Sequence, residues 1–437
     1  MMALLLTRRR VRRLAGFASV QVLVQGIGFV AGIVLVRHLE QVDYGHYTLA
    51  LAMVGMANVL SELGLSTAVL AEGGRLARQP RKLGALLADA RALQRRLALW
   101  VLLPALPLFA LMLWQQLMPP WQALLLSTLV LTTSACQVRS ALALSMLRLL
   151  GQAELQQRLD LAMNLVKLLF LAAAMSLLLD AVVACLINLG AALATLAVLQ
   201  RQLDARIGLP AAPSGRYAEP LWSFVRRQAP NTVWFCLGSQ LALWLIGLFG
   251  DAKGVAELGA LGRLGALFAL IGAVMAALVQ PYFAGHHRSA ELRSGFVAVN
   301  LFFGTLAAAL LLLALAVPQA LLWILGPRYA GLDIELAWMV AATALAAWGG
   351  ALYAVGCARG WVLPARWAVS SGMVASVLLV SWVDVSTAAG GFMLNTGTAL
   401  TGLVVVGVYV HRELRRLARA EQAAGMGVDG GAGRDLA

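Results

Sequence analysis

Charge is scarce in these 437 residues: Asp, Glu, Lys and Arg make up 12% of the chain and apolar residues 61%. A soluble protein of this size carries about twice that charge. A mean hydropathy of +0.81 points the same way, so a soluble globular fold is excluded. No polar stretch exceeds roughly 30 residues, which leaves no room for a large soluble catalytic domain. Cysteine is sparse too. Cys136, Cys185, Cys236 and Cys357 lie far apart, without a CxxC pair, which excludes a disulfide framework and leaves four small buried hydrophobes. The five histidines form no metal pattern. His286 and His287 are adjacent and so point apart on a helix or a strand. HExxH and GxxxxGK[ST] are both missing, so no metal or other cofactor is expected. Short alternating segments, the mark of an outer-membrane barrel, are absent. Collagen, coiled-coil and disordered compositions are excluded as well.

What the chain does have is long apolar runs, twelve of them. They cover roughly 14–36, 46–71, 97–113, 121–147, 159–179, 181–199, 229–249, 258–280, 295–317, 335–356, 367–383 and 392–410. A spanning helix needs about 20 residues, and these runs supply that. The first follows Arg8, Arg9, Arg10, Arg12 and Arg13. It is long for a signal peptide and has no small-x-small cleavage site before Arg37, so it reads as an uncleaved span.

The basic residues divide sharply between alternate loops. With the N-terminus placed inside, the inner segments hold 28 Lys and Arg. The outer segments hold three, Arg37, Lys253 and Arg328, and the runs themselves three more, Arg139, Lys167 and Arg263. That is a strong positive-inside signal, and one missed span would blur it. It places both termini in the cytoplasm of a bacterial cell, with the chain in the inner membrane. It also accounts for the net charge of +14 without nucleic acid.

The sequence midpoint carries the longest inner link, 200–228, with Pro210, Pro213, Ser214, Gly215 and Pro220. An offset of 214 carries Arg12-Arg13 onto Arg226-Arg227, Asp43 onto Glu257 and Gly45 onto Gly259. The expected fold is an all-α membrane protein of about twelve transmembrane helices in two six-helix lobes around a central cavity. Residues 1–203 form the first lobe, 204–228 a cytoplasmic linker and 229–410 the second lobe. Residues 411–437 form a cytoplasmic tail, disordered from Gly425. Parallel halves suit alternating access.

Charge inside a span is costly and usually faces a cavity or a partner. Asp160, Asn164 and Lys167 stand at i, i+4, i+7, on one helical stripe. Asn58 and Glu62 stand at i, i+4. Asp160 lies near the inner interface, where solvation accounts for it equally well. Arg263 has the alternative of snorkelling outward, and Glu62 that of pairing with a buried arginine. Lys167 reaches neither surface easily, so it points to a water-filled cavity. A net cationic lumen suits an anionic group such as a phosphate or diphosphate. Gly259, Gly262 and Gly265 read as close helix packing, and Pro104 and Pro107 as a kink.

The first two runs carry a recognisable pattern: Arg37-His38-Leu39, Asp43-Tyr44-Gly45-His46-Tyr47 and Glu62-Leu63-Gly64-Leu65. With Leu321–Gly331 (LLWILGPRYAG), they resemble the polysaccharide-biosynthesis flippases of the multidrug/oligosaccharidyl-lipid/polysaccharide exporter superfamily. In that pattern Gly45 would permit a tight outer turn, and Tyr44 and Tyr47 would sit at the membrane–water interface. The resemblance implies a MATE-like, V-shaped fold. It implies a non-enzymatic flippase that moves an undecaprenyl-diphosphate-linked oligosaccharide to the outer leaflet for O-antigen, capsule or exopolysaccharide assembly. Its partners would be the lipid-linked oligosaccharide, membrane lipids, a polysaccharide polymerase and a chain-length regulator. Arg37, Arg139, Lys167 and Arg263 then become the substrate-binding cations, with Glu62 and Asp160 as coupling or charge-pairing carboxylates. Peptidoglycan-precursor flippases of the superfamily have two more spans, which do not appear here.

Rival readings stay open at this point. Gly74-Arg75-Leu76-Ala77-Arg78-Gln79-Pro80-Arg81-Lys82 is similar to the loop signature of major-facilitator carriers, but it lacks the aspartate and has proline for the second glycine. A drug or cation antiporter of the same superfamily is another possibility. A polysaccharide polymerase is a third, although it would need a large outer loop for catalysis.

Overall fold

A computed structural model describes residues 8–74, 76, 79–175, 180–207, 213–285, 288–361 and 363–429. His286 and His287, Arg75, Ala77 and Arg78 of the carrier-like loop, 208–212 of the linker and 430–437 of the tail lie outside the described residues. Helices follow one another as α1 (Arg8–His38), α2 (Gln41–Glu62), α3 (Leu65–Gly74), α4 (Pro80–Gln115), α5 (Pro120–Leu149), α6 (Ala153–Ala174) and α7 (Ala181–Ile207). Then come α8 (Ala218–Phe249), α9 (Ala252–Gly285), α10 (Ser289–Ala316), the short α11 (Pro318–Leu325), a 3-10 turn (Pro327–Tyr329), α12 (Asp333–Ala358), α13 (Ala365–Trp382) and α14 (Ala388–Asp429). No strand occurs among the described residues. The protein is an all-α, multi-pass membrane protein.

Among the described residues the apolar runs fall in helices, that at 46–71 in two. Among the described residues, nine stretches are long and apolar enough to cross a membrane: α2 with α3, α4, α5, α7, α8, α10, α12, α13 and α14. The other three runs lie in α1, α6 and α9. In α6 the charges Glu154, Arg158, Asp160 and Lys167 dilute the apolar signal. Trp114, Trp121 and Trp382 are exposed near the ends of α4, α5 and α13, where an interfacial aromatic residue is favoured.

Helix ends follow local chemistry. Proline opens α4, α5 and α11, where its missing N–H costs nothing. The Asp180 carboxylate accepts from the Val183 N–H at 2.7 Å and caps α7. Asp251 accepts from the Gly254 N–H at 2.8 Å and caps α9.

Several expectations need correction. The run 46–71 is not one helix. Leu63 (φ 41°, ψ 36°) and Gly64 (φ 79°) are left-handed and break it after Glu62, with the Leu63 N–H bonded to the Val59 carbonyl. Gly64 fits this conformation without strain, and a Cβ there would lie 3.1 Å from Gln228 Cγ. Gly64→Ala is therefore expected to lower the unfolding midpoint in detergent, by an amount matching about 1–2 kcal/mol; an unchanged midpoint would refute this.

Helices also outrun their apolar runs on the basic side. α4 begins at Pro80, well before 97, and α14 continues to Asp429 through the segment expected to be disordered from Gly425. Hydropathy marks where a helix meets lipid, whereas Arg, Leu, Ala and Glu sustain a helix in water as well.

Gly45 lies inside α2 and not in a turn. Its reason is a close approach: a Cβ there would come within 2.1 Å of the Ala252 carbonyl oxygen. A Cβ on Gly259 would lie 2.5 Å from the Thr48 side chain. The two glycines related by the offset of 214 thus serve one contact, between α2 and the start of α9. Tyr44 and Tyr47 are buried within the protein; Asn188 of α7 donates to the Tyr47 oxygen at 2.9 Å.

The chain divides into two compact units, Met1–Ala260 and Leu261–Ala437. In the first, α2, α4, α5, α7 and α8 pack on one another, and α6 packs on α1 and α7. Its main core gathers Leu65, Leu83, Leu86, Leu142, Met146 and Leu203 with Leu221 and Val225 of α8. In the second, α12 is sandwiched against α10 and α14. Gly349 faces the Leu403 backbone and Gly407 faces Leu352. Small residues of this kind let helices pack closely where lipid removes the hydrophobic drive between them. Of the α9 glycines, a Cβ on Gly265 would lie 3.1 Å from Thr343 of α12, while one on Gly262 would meet nothing within 4 Å.

Candidate functional site

The polar residues that α6 brings into the membrane share one side of it. Asp160, Asn164 and Lys167 are half-buried, while Leu165, Val166, Leu169 and Phe170 between and beyond them are exposed. A helix in water turns its charges out; on α6 these polar residues are less exposed than the apolar ones around them. Asp160 lies within electrostatic range of both Lys167 and Arg148 and accepts a hydrogen bond from Gln156. The three residues of the i, i+4, i+7 stripe thus share the less exposed side of α6.

A second polar group forms where α2, α4, α5 and α7 meet. Asn58 Nδ2 on α2 donates to Gln137 Oε1 on α5 at 2.5 Å. The buried Gln94 Nε2 on α4 donates to the Val138 carbonyl at 2.7 Å. That bond fixes the register of the antiparallel pair α4 and α5. It sets Arg91, one turn before Gln94, beside Arg139, the residue after Val138. The two arginines feel each other, with Asp204 of α7 as the compensating anion. Arg91 is half-buried and Arg139 exposed.

The structure thus brings together Asp160 with Lys167, and Arg139 with Arg91. Glu62 sits half-buried at the break between α2 and α3, one turn from Asn58. Among the described residues, Glu62, Arg139, Asp160 and Lys167 form no ion pair within 4.0 Å. Arg37 ends α1 and is exposed; Arg263 belongs to the second unit and is half-buried. Arg91, Gln94, Gln137 and Asp204 did not emerge from the sequence. A helical wheel continued back from 97 to Pro80 would have put Arg91 and Gln94 on one face, since they are i, i+3.

Cations of this kind can receive an anion. Guanidinium binds phosphate bidentately and ammonium as a point charge. Among the described residues, no group of three His, Cys, Asp or Glu is placed to hold a metal ion.

Residues 14–211 match the family model described as polysaccharide biosynthesis protein. An inward-facing multidrug resistance MATE family transporter of the MOP superfamily superposes with a TM-score of 0.68 at 14% identity, over 92% of this chain and 96% of that one. The lipid II flippase MurJ, in an inward closed conformation, gives 0.70 at 10% identity, over 92% and 89%. The eukaryotic MATE transporter AtDTX14 gives 0.57 at 15% identity, over 94% and 99%. At these identities the likeness is one of fold, that of an all-α membrane transporter. No curated protein sequence matches the chain.

Proposed function

From residues 14–211 as a segment of the polysaccharide biosynthesis protein family, on a chain with the MATE-type transporter fold, we propose a flippase. Its substrate is an undecaprenyl-diphosphate-linked oligosaccharide, which it carries from the inner to the outer leaflet of a bacterial inner membrane. The transported unit feeds surface polysaccharide assembly, beside a polymerase and a chain-length regulator. Both termini are cytoplasmic, and the offset of 214 supports two related six-helix halves, 1–203 and 229–410.

One observation carries the reading: a helix, α6, on which Asp160 and Lys167 are less exposed than the apolar residues around them. A diphosphate stripped of water in a low-dielectric region pays many kcal/mol unless charge compensates it. Arg37, Arg139, Lys167 and Arg263 supply that compensation during passage. Asp160 and Glu62 keep the cations from standing uncompensated when no substrate is bound, or couple passage to protons. A cationic drug gains nothing from this charge, which places the antiporter reading second.

The test is complementation of a strain lacking the gene, with protein level checked by blot. The wild-type chain is expected to restore surface polysaccharide and leave drug susceptibility unchanged. Lys167→Ala is expected to cut export about tenfold or more, and Lys167→Arg less. Arg139→Lys is expected to impair export although charge is kept. Normal export with alanine at all four cations would overturn the cationic path. A change in drug susceptibility without a change in polysaccharide would overturn the substrate.

A further inference from the structure

α10 and α14 run on together past their apolar stretches. Phe296 and His411 face each other with ring centroids 6.3 Å apart. Two turns further, the Ser289 N–H donates to Glu421 Oε1 at 2.9 Å and Oε2 at 3.2 Å, and the Ser289 hydroxyl also donates to Glu421. Between these ends Leu292 and Leu414 are buried in one cluster that includes Val410, with Leu417 packed against it. The result is an antiparallel two-helix stalk, about 15 Å long, locked at its tip by a carboxylate that caps the start of α10.

That lock fixes which way α14 faces. Val410, Leu414 and Leu417 form the side packed against α10, and the exposed Glu421 continues the same line to Ser289. At 100° per residue, Arg412, Arg415, Arg416 and Arg419 fall on the opposite side, and all four are exposed. Glu413 pairs with Arg416 at 2.6 Å, and Glu421 is occupied by Ser289 with Arg288 nearby. Exposed Arg288 and Arg293 on α10 add to the same sign. Orienting a chain in the membrane requires only that Lys and Arg lie on one side; it sets no face and needs no lock. Here the arginines form one exposed face within the first turns beyond the apolar stretch.

We propose that this arginine face is a docking surface for the anionic headgroups of the membrane leaflet on that side. Guanidinium groups on a rigid helix meet headgroup phosphates bidentately, and basic residues next to a span are drawn to an anionic leaflet. The surface belongs to the second unit and is separate from the cations assigned to substrate passage.

The test uses the full chain in neutral detergent, supplemented with phosphatidylglycerol or with phosphatidylcholine, and reads the unfolding midpoint. Phosphatidylglycerol is expected to raise it by about 5 °C more than phosphatidylcholine, and the difference should fade at high salt. The triple variant Arg412→Gln, Arg415→Gln, Arg419→Gln is expected to lose most of that difference, and the matching triple lysine variant to keep most of it. The single variant Arg415→Gln, expected to lose about a third, probes the same face more gently should the triple variant aggregate. Equal response to the two lipids, or a glutamine variant that responds like the wild-type chain, would overturn the proposal. So would an equal rise with millimolar inorganic phosphate, because a free anion would then replace the lipid surface.

Discussion

Gly45→Ala is expected to destabilise the protein sharply, although alanine is the better helix former. In an unconstrained helix the change would stabilise by about 0.5–1 kcal/mol. Here the added methyl would stand 2.1 Å from the Ala252 carbonyl oxygen, against a normal separation above 3 Å. The obstacle is backbone, which no rotamer change removes, so α2 and the start of α9 must separate by about 1 Å. Overpacking of this kind costs about 1–3 kcal/mol or more, and the parting helices also strain the Gln41–Glu257 side-chain bond of 3.4 Å. Gly55 supplies the control on the same helix: it is exposed, and a Cβ there meets nothing within 4 Å. Gly55→Ala is expected to leave the unfolding midpoint in detergent level or slightly raised. Gly45→Ala should lower it by several degrees, and Gly45→Leu should deplete the protein from the membrane fraction. Equal midpoints for the two alanine variants would show that the close approach does not exist in solution.

That glycine shows where the sequence spoke and where it did not. Its place in an Asp-Tyr-Gly-His-Tyr motif, and its counterpart Gly259 at an offset of 214, were readable. Its reason was not, because a Cβ conflict with Ala252 depends on a crossing between residues 207 positions apart. The helices themselves were readable because lipid demands continuous apolar runs. Their ends were not: Arg91 seemed to lie in a loop only because hydropathy falls to water-like values before 97, while α4 continues. The same error hid the stalk of α10 and α14.

The site was legible in part for the same physical reason. On α6, three polar residues at helical spacing in an apolar run were readable as one stripe, and they are less exposed than Leu169 across the helix from them. On α5, Arg139 was visible as a charge in a run, but its neighbour Arg91 was not, because their meeting rests on a register set by the Gln94 bond to the Val138 carbonyl. Single-helix periodicity reveals a face. Pairing between helices needs the fold.

The linker holds the second large expected effect. Asp89 lies on α4 and is 3% exposed. One of its oxygens accepts from the Gly215 N–H at 2.9 Å; the other accepts from the Tyr217 N–H and the Ser214 hydroxyl, both at 3.0 Å. The turn it grips contains Gly215 at φ 72° and leads directly into α8, whose start packs into the core with Leu221 and Val225. One carboxylate therefore satisfies two backbone donors at the mouth of a helix, where a negative charge also suits the dipole. Hydrogen bonds to a charged group contribute about 1.5–3 kcal/mol each in favourable settings, and the donors left behind pay for lost partners. Asp89→Ala is expected to cost about 3 kcal/mol or more. Asp89→Asn, which keeps one acceptor oxygen, should cost less. Trypsin gives the local readout, because Arg216 sits inside the gripped turn. Cleavage after Arg216 is expected to quicken at least about tenfold in the alanine variant, while cleavage at the exposed Arg419 of α14, in the other unit, should keep its rate. If both sites quicken together, the loss is global and the clasp is not a local lock. If neither does, Asp89 does not hold the linker.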